Sequence, residues 1–236
     1  ETSVPVEHIF LISSGEQLND LATKIQRSET YFNGTKSWAE ANFELVGNIS
    51  LSEYEDNWIG IGTASNPFKG TFDGNGYEIS DFISNQYSLF NIAENATIKN
   101  FTVDGDLDVT VSNNGNTGGI VGKATNCIIE NCISDTYIYN RQGGYTGGVV
   151  GYAENTQVIN CKTTDYVYAD YNFAGGIIGC MVGGKAENCI ADGINVDPED
   201  YAGGIVAYAI NGAEIKNCSL TGVCRIGANK YAGGIA

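Results

Sequence analysis

The chain has 236 residues, of which 42% are apolar, and its 12 basic and 28 acidic residues give a net charge of −16. This acidic balance, with no basic run, argues against binding to nucleic acid or to anionic membranes. The single histidine, His8, excludes an HExxH zinc site and argues against Ser-His-Asp or Cys-His catalysis.

The N-terminal third predicts a short helix followed by strands. Ser14-Gly15-Glu16-Gln17 has the pattern of a capping box that would start this helix. Such a helix would cover the open first turn of a stacked structure. The apolar residues with helical spacing are Leu18, Leu21, Ala22 and Ile25, and those that alternate as in strands are Phe43, Leu45, Ile49 and Leu51.

The second half of the chain repeats with a period of about 28 residues. Gly-Gly followed by apolar residues recurs at spacings of 29, 28, 28 and 30, and an Asn-Cys dipeptide recurs at 29, 28 and 29. Two markers in phase indicate a repeat protein. The Gly-Gly pairs begin at Gly118, Gly147, Gly175, Gly203 and Gly233, and the dipeptides at Asn131, Asn160, Asn188 and Asn217.

The repeat is predicted to be built from β-strands. Its apolar residues form short β-branched runs such as Val149-Val150, and no segment has a helical period long enough for a helical repeat. A turn of about 28 residues that stacks on its neighbour is typical of a parallel β-helix, whereas propeller blades need about 40 residues. The 31 glycines beside only 3 prolines also predict many tight turns.

Stacking assigns a structural role to each repeated residue. Asparagine tolerates left-handed corners, and stacked asparagines can form a hydrogen-bonded ladder. The cysteines that follow them are predicted to be an inward row of free thiols, with a metal-thiolate row or disulfides as alternatives. The predicted ladder is Asn100, Asn131, Asn160, Asn188 and Asn217, the thiol row is Cys132, Cys161, Cys189 and Cys218, and a structural aromatic row is Tyr145, Phe173, Tyr201 and Tyr231.

Together these motifs resemble the GLUG-repeat proteins, which are bacterial surface and secreted chains. The resemblance rests on the Gly-Gly elements, the Asn-Cys step, Leu45–Leu51 and the Phe-Lys-Gly-Thr-Phe-Asp-Gly-Asn-Gly segment that starts at Phe68. It implies a right-handed parallel β-helix exported to the cell exterior, serving as an adhesin-like or spacer module. In this family such modules also occur in larger proteins such as immunoglobulin-A-specific metallopeptidases, but this chain lacks their zinc motif. It departs from the pattern at Ala207 and at 180–184.

A single β-helix domain is therefore predicted over residues 1–236. Residues 1–66 would form the N-terminal cap and first strands, 67–117 the opening coils, and 118–236 the Gly-Gly coils. The chain stops within the last Gly-Gly element, at Ala236, so further repeats or domains are expected in the parent protein. No stretch approaches about 18 apolar residues, so membrane insertion is not expected.

The best candidate for a binding surface is a group of four tyrosines. Tyr137 and Tyr139 recur as Tyr166 and Tyr168 one turn later, and they flank aliphatic residues predicted to point inward. The tyrosines would then form an outward patch with carboxylates nearby. Such a patch suits stacking on sugar rings or contact with a protein. A general preference of tyrosine for strands explains the same pattern without a ligand.

Two groups of acidic residues suggest other chemistry. Asp104, Asp106 and Asp108 could bind Ca²⁺, although alternation on an outward strand face explains them without a metal. The acidic loop Asp197-Pro198-Glu199-Asp200, with Asp192, could supply paired carboxylates for polysaccharide cleavage.

The favoured hypothesis is a non-enzymatic extracellular module that binds a host protein or glycan, or acts as a spacer, with no cofactor and no metal. The alternative is a carbohydrate-active β-helix, a polysaccharide lyase or glycoside hydrolase.

Overall fold

Parallel strands stack along most of the chain in this computed structural model, which describes residues 8–55, 57–111 and 115–236. The longest stack of the described chain joins eight strands, one from each successive turn. The fold is therefore a parallel β-helix, as the repeats predicted; its right-handed sense stays a prediction. Residues 1–7, 56 and 112–114 of the predicted single domain lie outside the described residues.

Sheet 1 holds the long stack and bends around one corner of the helix. All of its pairings within the described residues are parallel. The strands of the stack are Ile9–Ile12, Asn42–Leu45, Thr71–Asp73, Thr97–Val109, Ile128–Asn140, Gln157–Ile159, Lys185–Glu187 and Glu214–Lys216. Beyond the corner, the same sheet continues with Ile49–Ser50, Glu78–Ser84, Lys162–Thr163, Val167–Ala169, Ile190–Asp192, Asn195–Pro198, Ser219–Thr221 and Arg225–Ile226.

Two further parallel sheets complete the later turns, and the Gly-Gly pairs lie at the corner between them. Sheet 2 consists of Asn116–Gly118, Tyr145–Gly147, Phe173–Gly175, Tyr201–Gly203 and Tyr231–Gly233. Sheet 3 consists of Phe90–Glu94, Val121–Thr125, Val150–Glu154, Ile178–Val182 and Val206–Ile210.

The Asn-Cys step forms the corner within sheet 1. The five predicted ladder asparagines have φ values between 52° and 60°, in the left-handed region that asparagine tolerates better than most residues. The side-chain amide of Asn131 donates to Asn100 Oδ1 at 3.0 Å, and Asn160 and Asn188 each donate to the preceding asparagine at 3.1 Å. Asn217 shares the corner conformation, while the described amide ladder runs from Asn100 to Asn188.

The Gly-Gly pairs serve close packing, which differs from the tight turns that the glycine content predicted. Gly148 does not adopt a positive φ. A Cβ atom there would lie 2.1 Å from the carbonyl oxygen of Gly176 and 2.3 Å from Thr163 Oγ1. Because two backbones and a side chain from the opposite wall meet at this point, no larger residue fits without a shift.

The interior changes in character along the helix. The first turns are filled by large buried rings, including Phe43, Phe72 and Phe90, each of which removes about 150–250 Å² from water. Later turns are filled by aliphatic residues and small polar ones. Ser134 and Thr163 are register partners whose buried hydroxyls have no hydrogen-bond partner among the described residues. These hydroxyls face the glycines of the opposite wall.

The predicted capping helix spans Gly15–Gln26 and closes the first turn between the strands Ile9–Ile12 and Asn42–Leu45. Its N-cap Ser14 accepts a hydrogen bond from the backbone of Gln17, and its predicted apolar residues are buried in the core. The Gln17 side chain accepts from Ser13, one residue earlier than in an ordinary capping box. The remaining short elements are the hairpin Thr30–Tyr31 with Lys36–Ser37 and the 3₁₀ turns Trp38–Glu40 and Ser52–Tyr54.

Candidate functional site

The four predicted tyrosines lie side by side on the outer face of sheet 1. Tyr139 pairs with Tyr168 in register, and the aliphatic neighbours Ile138 and Val167 are fully buried. Alternation along the strands therefore turns the tyrosines outward. Their ring centroids lie 5.8–6.3 Å apart in tilted, edge-on and stacked contacts, which places all four in one aromatic cluster.

This cluster forms the wall of an open cavity of about 650 Å³, which we name the tyrosine groove. The volume lies within the range of ordinary small-ligand sites. The groove brings the tyrosines together with part of the acidic segment that the sequence analysis treated as a separate candidate. Its lining residues are Tyr137, Tyr139, Tyr166, Tyr168, Ala169, Asp170, Asp197, Pro198, Glu199 and Asn229.

Hydrogen bonds hold two of the groove tyrosines in place. The Tyr139 hydroxyl donates to Asp170 Oδ1 at 2.6 Å, and this bond, with partial burial, raises the pKa of Tyr139. The side-chain amide of Asn195 donates to the Tyr168 hydroxyl at 2.8 Å. Tyr166 is the most open of the four rings, with 44% of its surface exposed. The groove thus offers ordered rings whose faces remain accessible.

The guanidinium group of Arg141 lies beside the groove, over the ring of Tyr139. Arg141 contacts the Asp108 carboxylate through two hydrogen bonds of 2.7 and 2.8 Å. Its Cζ atom lies 4.0 Å from the centroid of the Tyr139 ring. Asp108 and Tyr139 are register partners on adjacent turns, so a carboxylate and a ring one strand apart form the seat for this cation.

Of the four carboxylates considered for polysaccharide cleavage, two line the groove and two are paired with lysines. Asp197 belongs to the strand Asn195–Pro198, so the predicted acidic loop is half strand. Asp200 is held by Lys230 at 2.8 Å, and Asp192 by Lys162 at 2.7 Å and by Thr221. Asp197 and Glu199 line the groove, whereas Asp192 and Asp200 are not among its lining residues.

The three aspartates of the Ca²⁺ alternative do not converge. They lie at alternate positions of the single strand Thr97–Val109, and Asp108 is occupied by Arg141. No group of three or more His, Cys, Asp or Glu residues within the described part of the chain could hold a metal ion. Partial burial, with repulsion from neighbouring aspartates, raises the pKa of Asp104 and of Asp106. In this conformation the three aspartates form an outward row along one strand, and Ca²⁺ binding there stays an untested alternative.

The cysteine row is a feature of the interior. Cys132, Cys161 and Cys189 are buried, Cys218 in the last turn is half-buried, and all four are free thiols. Cys161 Sγ lies 3.6 Å from the carbonyl oxygen of Ile129 in the preceding turn, and the other three make equivalent contacts. Burial raises the pKa of Cys161 well above its usual range, which is typical of an unreactive core thiol.

The aromatic row is likewise regular. Tyr145, Phe173, Tyr201 and Tyr231 are successive register partners in sheet 2. Their ring centroids are 5.2, 4.6 and 5.3 Å apart, and the rings of the last two pairs are nearly parallel. Offset stacking along the axis therefore accounts for this row.

Sequence reasoning missed two features. A second corner, between sheets 3 and 1, places Asn95, Asn126, Asn155 and Asn211 in the left-handed region, and their spacings of 31, 29 and 56 residues carry the repeat signal. It also missed Asn229, which lines the groove, and Arg141, which lies over Tyr139 beside it; the sequence gives no signal for either, because neither belongs to a repeated row.

Comparison with known proteins agrees with this architecture. A model of the GLUG motif matches residues 113–135, 142–167 and 200–226. The chain carries GLUG repeats. The turn between the last two matches contains the segment 180–184, where the sequence departs from the pattern and Gly183 replaces the corner asparagine.

One curated relative and one solved structure are similar to this chain. A candidate Gly-rich membrane protein of Evansella cellulosilytica is 37% identical over 75 residues, which cover 28% of this chain and 9% of that protein. The chain thus spans under a tenth of that relative. A solved candidate immunoglobulin A1 protease from Bacteroides ovatus superposes with a TM-score of 0.69 at 19% identity, over 98% of this chain and 80% of the other. This likeness shows the shared fold. Among the described residues, no helix has the length and apolarity to cross a membrane.

Proposed function

We propose that this chain is a non-enzymatic ligand-binding module of a bacterial cell-surface or secreted protein, acting in adhesion to a host protein or glycan. The observation that supports a binding role is the tyrosine groove, in which four rings and three carboxylates surround one open cavity. GLUG repeats are typical of surface proteins, and the relative described as a membrane protein favours the same setting.

The chemistry of the groove suits recognition better than turnover. Tyrosine gives a large contact area at little cost in side-chain entropy, and its hydroxyl adds a hydrogen bond. Tyr139 and Tyr168 are already ordered by Asp170 and Asn195, so a ligand would meet a preorganised surface.

A binding screen against immobilised glycans and extracellular-matrix proteins tests the proposal. We expect Tyr166→Ala to weaken binding about tenfold, since a central aromatic contact contributes about 1–2 kcal/mol. Tyr208→Ala is the matched control, because Tyr208 has a similar exposure of 40% but lies on sheet 3, outside the groove. Equal binding by wild type and Tyr166→Ala in every hit would exclude the groove as the site.

A polysaccharide-cleaving enzyme is the second candidate, favoured by the presence of Asp197 and Glu199 in the groove. A depolymerisation assay distinguishes the two. New reducing or unsaturated ends that disappear in Asp197→Asn would establish the enzyme. A chain that neither binds nor cleaves would be left with the role of a spacer.

A further inference from the structure

The half of the tyrosine groove that contains Tyr168 and Asp197 repeats the arrangement that binds Arg141, a ring beside a carboxylate, but has no cation bound in it. Asp108, Tyr139, Tyr168 and Asp197 are successive register partners on four adjacent turns. These four side chains therefore form a column in the order carboxylate, ring, ring, carboxylate. Its first carboxylate and ring bind the Arg141 guanidinium.

The residues beside Tyr168 and Asp197 are negatively charged, whereas Arg141, beside Tyr139 and Asp108, is positively charged. Arg141 corresponds to Asp170 one turn later, since the preceding residues, Asn140 and Ala169, are register partners. Ala169 in turn pairs with Pro198, which places Glu199 in the same column. Where the first pair has a cation, the second pair thus has two more carboxylates.

Two cations lie near this half of the groove without lining it: Arg141 attracts Asp170, and Lys230 attracts Glu199. The groove lining contains Asp170, Asp197 and Glu199 but no lysine or arginine. In the described residues, neither Asp197 nor Glu199 forms an ion pair, and the ammonium group of Lys230 is held by Asp200. With the net charge of −16, an anionic ligand would be repelled from this site.

We propose that the tyrosine groove binds the arginine side chains of a basic peptide segment of a partner protein. The guanidinium lies over the ring of Tyr168 and pairs with Asp197 and Glu199, in the way that Arg141 lies over Tyr139 and pairs with Asp108. Arginine fits better than lysine, because its planar group stacks on a ring while it binds carboxylates. A cavity of about 650 Å³ accommodates such a side chain with its flanking residues. The inference rests on the binding role proposed above and specifies its ligand.

Titration with a short fluorescent peptide of alternating arginine and serine tests the proposal, and the same peptide with citrulline, which is uncharged and nearly isosteric, is the ligand control. We expect the arginine peptide to bind more tightly, with an affinity that falls as salt approaches about 0.5 M. The double variant Asp197→Asn/Glu199→Gln should lose about tenfold in affinity. Tyr168→Ala should lose about fivefold and Tyr168→Phe less than about twofold, because the ring face carries the contact.

The matched control, Glu130→Gln/Glu154→Gln, removes two charges outside the groove and should leave the affinity unchanged. An equal loss in both double variants, or equal binding of the two peptides, overturns the proposal. Binding of a neutral glycan that depends on Tyr168 but not on salt overturns it while leaving a binding module in place. Tyr168→Phe and the thermal unfolding of each variant separate loss of the contact from loss of the fold.

Discussion

Replacing Asn160 tests whether the asparagine ladder stabilises the helix. Its amide donates to Asn131 and its carbonyl accepts from Asn188, both at 3.1 Å, and its φ is 53°. The two exposed hydrogen bonds contribute about 0.5 kcal/mol each. Alanine in a left-handed corner costs about 1 kcal/mol more than asparagine. We therefore expect Asn160→Ala to lower the free energy of unfolding by about 2 kcal/mol, and Asn160→Gly by about 1 kcal/mol.

Thermal and urea unfolding followed by circular dichroism measure these losses. For a chain of this size, about 1 kcal/mol corresponds to about 2–4 °C, so we expect Tm to fall by about 6 °C in Asn160→Ala and about 3 °C in Asn160→Gly. Asn217→Ala is the matched control, because Asn217 has the same corner conformation, with a φ of 52°, but lies beyond the described ladder of amide hydrogen bonds. Its loss should be about 1 kcal/mol. Equal Tm values for Asn160→Ala and Asn160→Gly would refute the role of the corner, and wild-type values in both would refute the ladder.

Three further predictions concern packing, thiols and charge. Gly148→Ala should destabilise by about 2 kcal/mol in urea unfolding, because its Cβ would meet the Gly176 carbonyl, whereas Gly47→Ala, with open space around it, should be neutral or slightly stabilising. In a timed reaction with a thiol reagent, half-buried Cys218 should be modified in the native state and the buried thiols only on unfolding; early labelling of all seven cysteines would contradict this. Asp104→Asn should stabilise by about 0.5 kcal/mol at pH 7, since partial burial and Asp135 raise the pKa of Asp104.

The stability gain expected from Asp104→Asn depends on pH. A carboxyl group whose pKa is raised by folding favours the folded state below its unfolded value of about 3.9, and this advantage is lost as pH rises through the raised pKa. The gain from Asp104→Asn should therefore be present at neutral pH and shrink as pH falls through the raised pKa of Asp104 in the folded state. A gain that persists unchanged at pH 3 would show that charge is not its cause.

The architecture could be predicted in detail because every repeated residue occupies one place in a stack. The left-handed conformation of Asn131 and the inward orientation of Cys161 follow from spacing, since each turn must return to the same position. The reason for the Gly-Gly pairs did not follow. The spacing marks a corner, but only the approach of Gly176 and Thr163 shows that Gly148 is required for space.

The candidate site was only half accessible to such reasoning. The recurrence of Tyr137 and Tyr139 one turn later predicted the aromatic patch. The acidic segment at Asp197 was treated as a separate candidate because it lies 29 residues beyond Tyr168 in the chain. In space the two are neighbours, since strands one turn apart pair directly.

The sequence by itself determined the repeat, the parallel stacking and the residues that face inward, because periodicity and alternation are local properties that each turn repeats. The tertiary structure alone decided which outward side chains from different turns share one groove, and which acids there have a cation. Arg141 neutralises Asp108 across adjacent turns, while Asp197 and Glu199 have no such partner in the described residues. That difference arises because ion pairing depends on register between turns and on side-chain direction, which no single turn encodes.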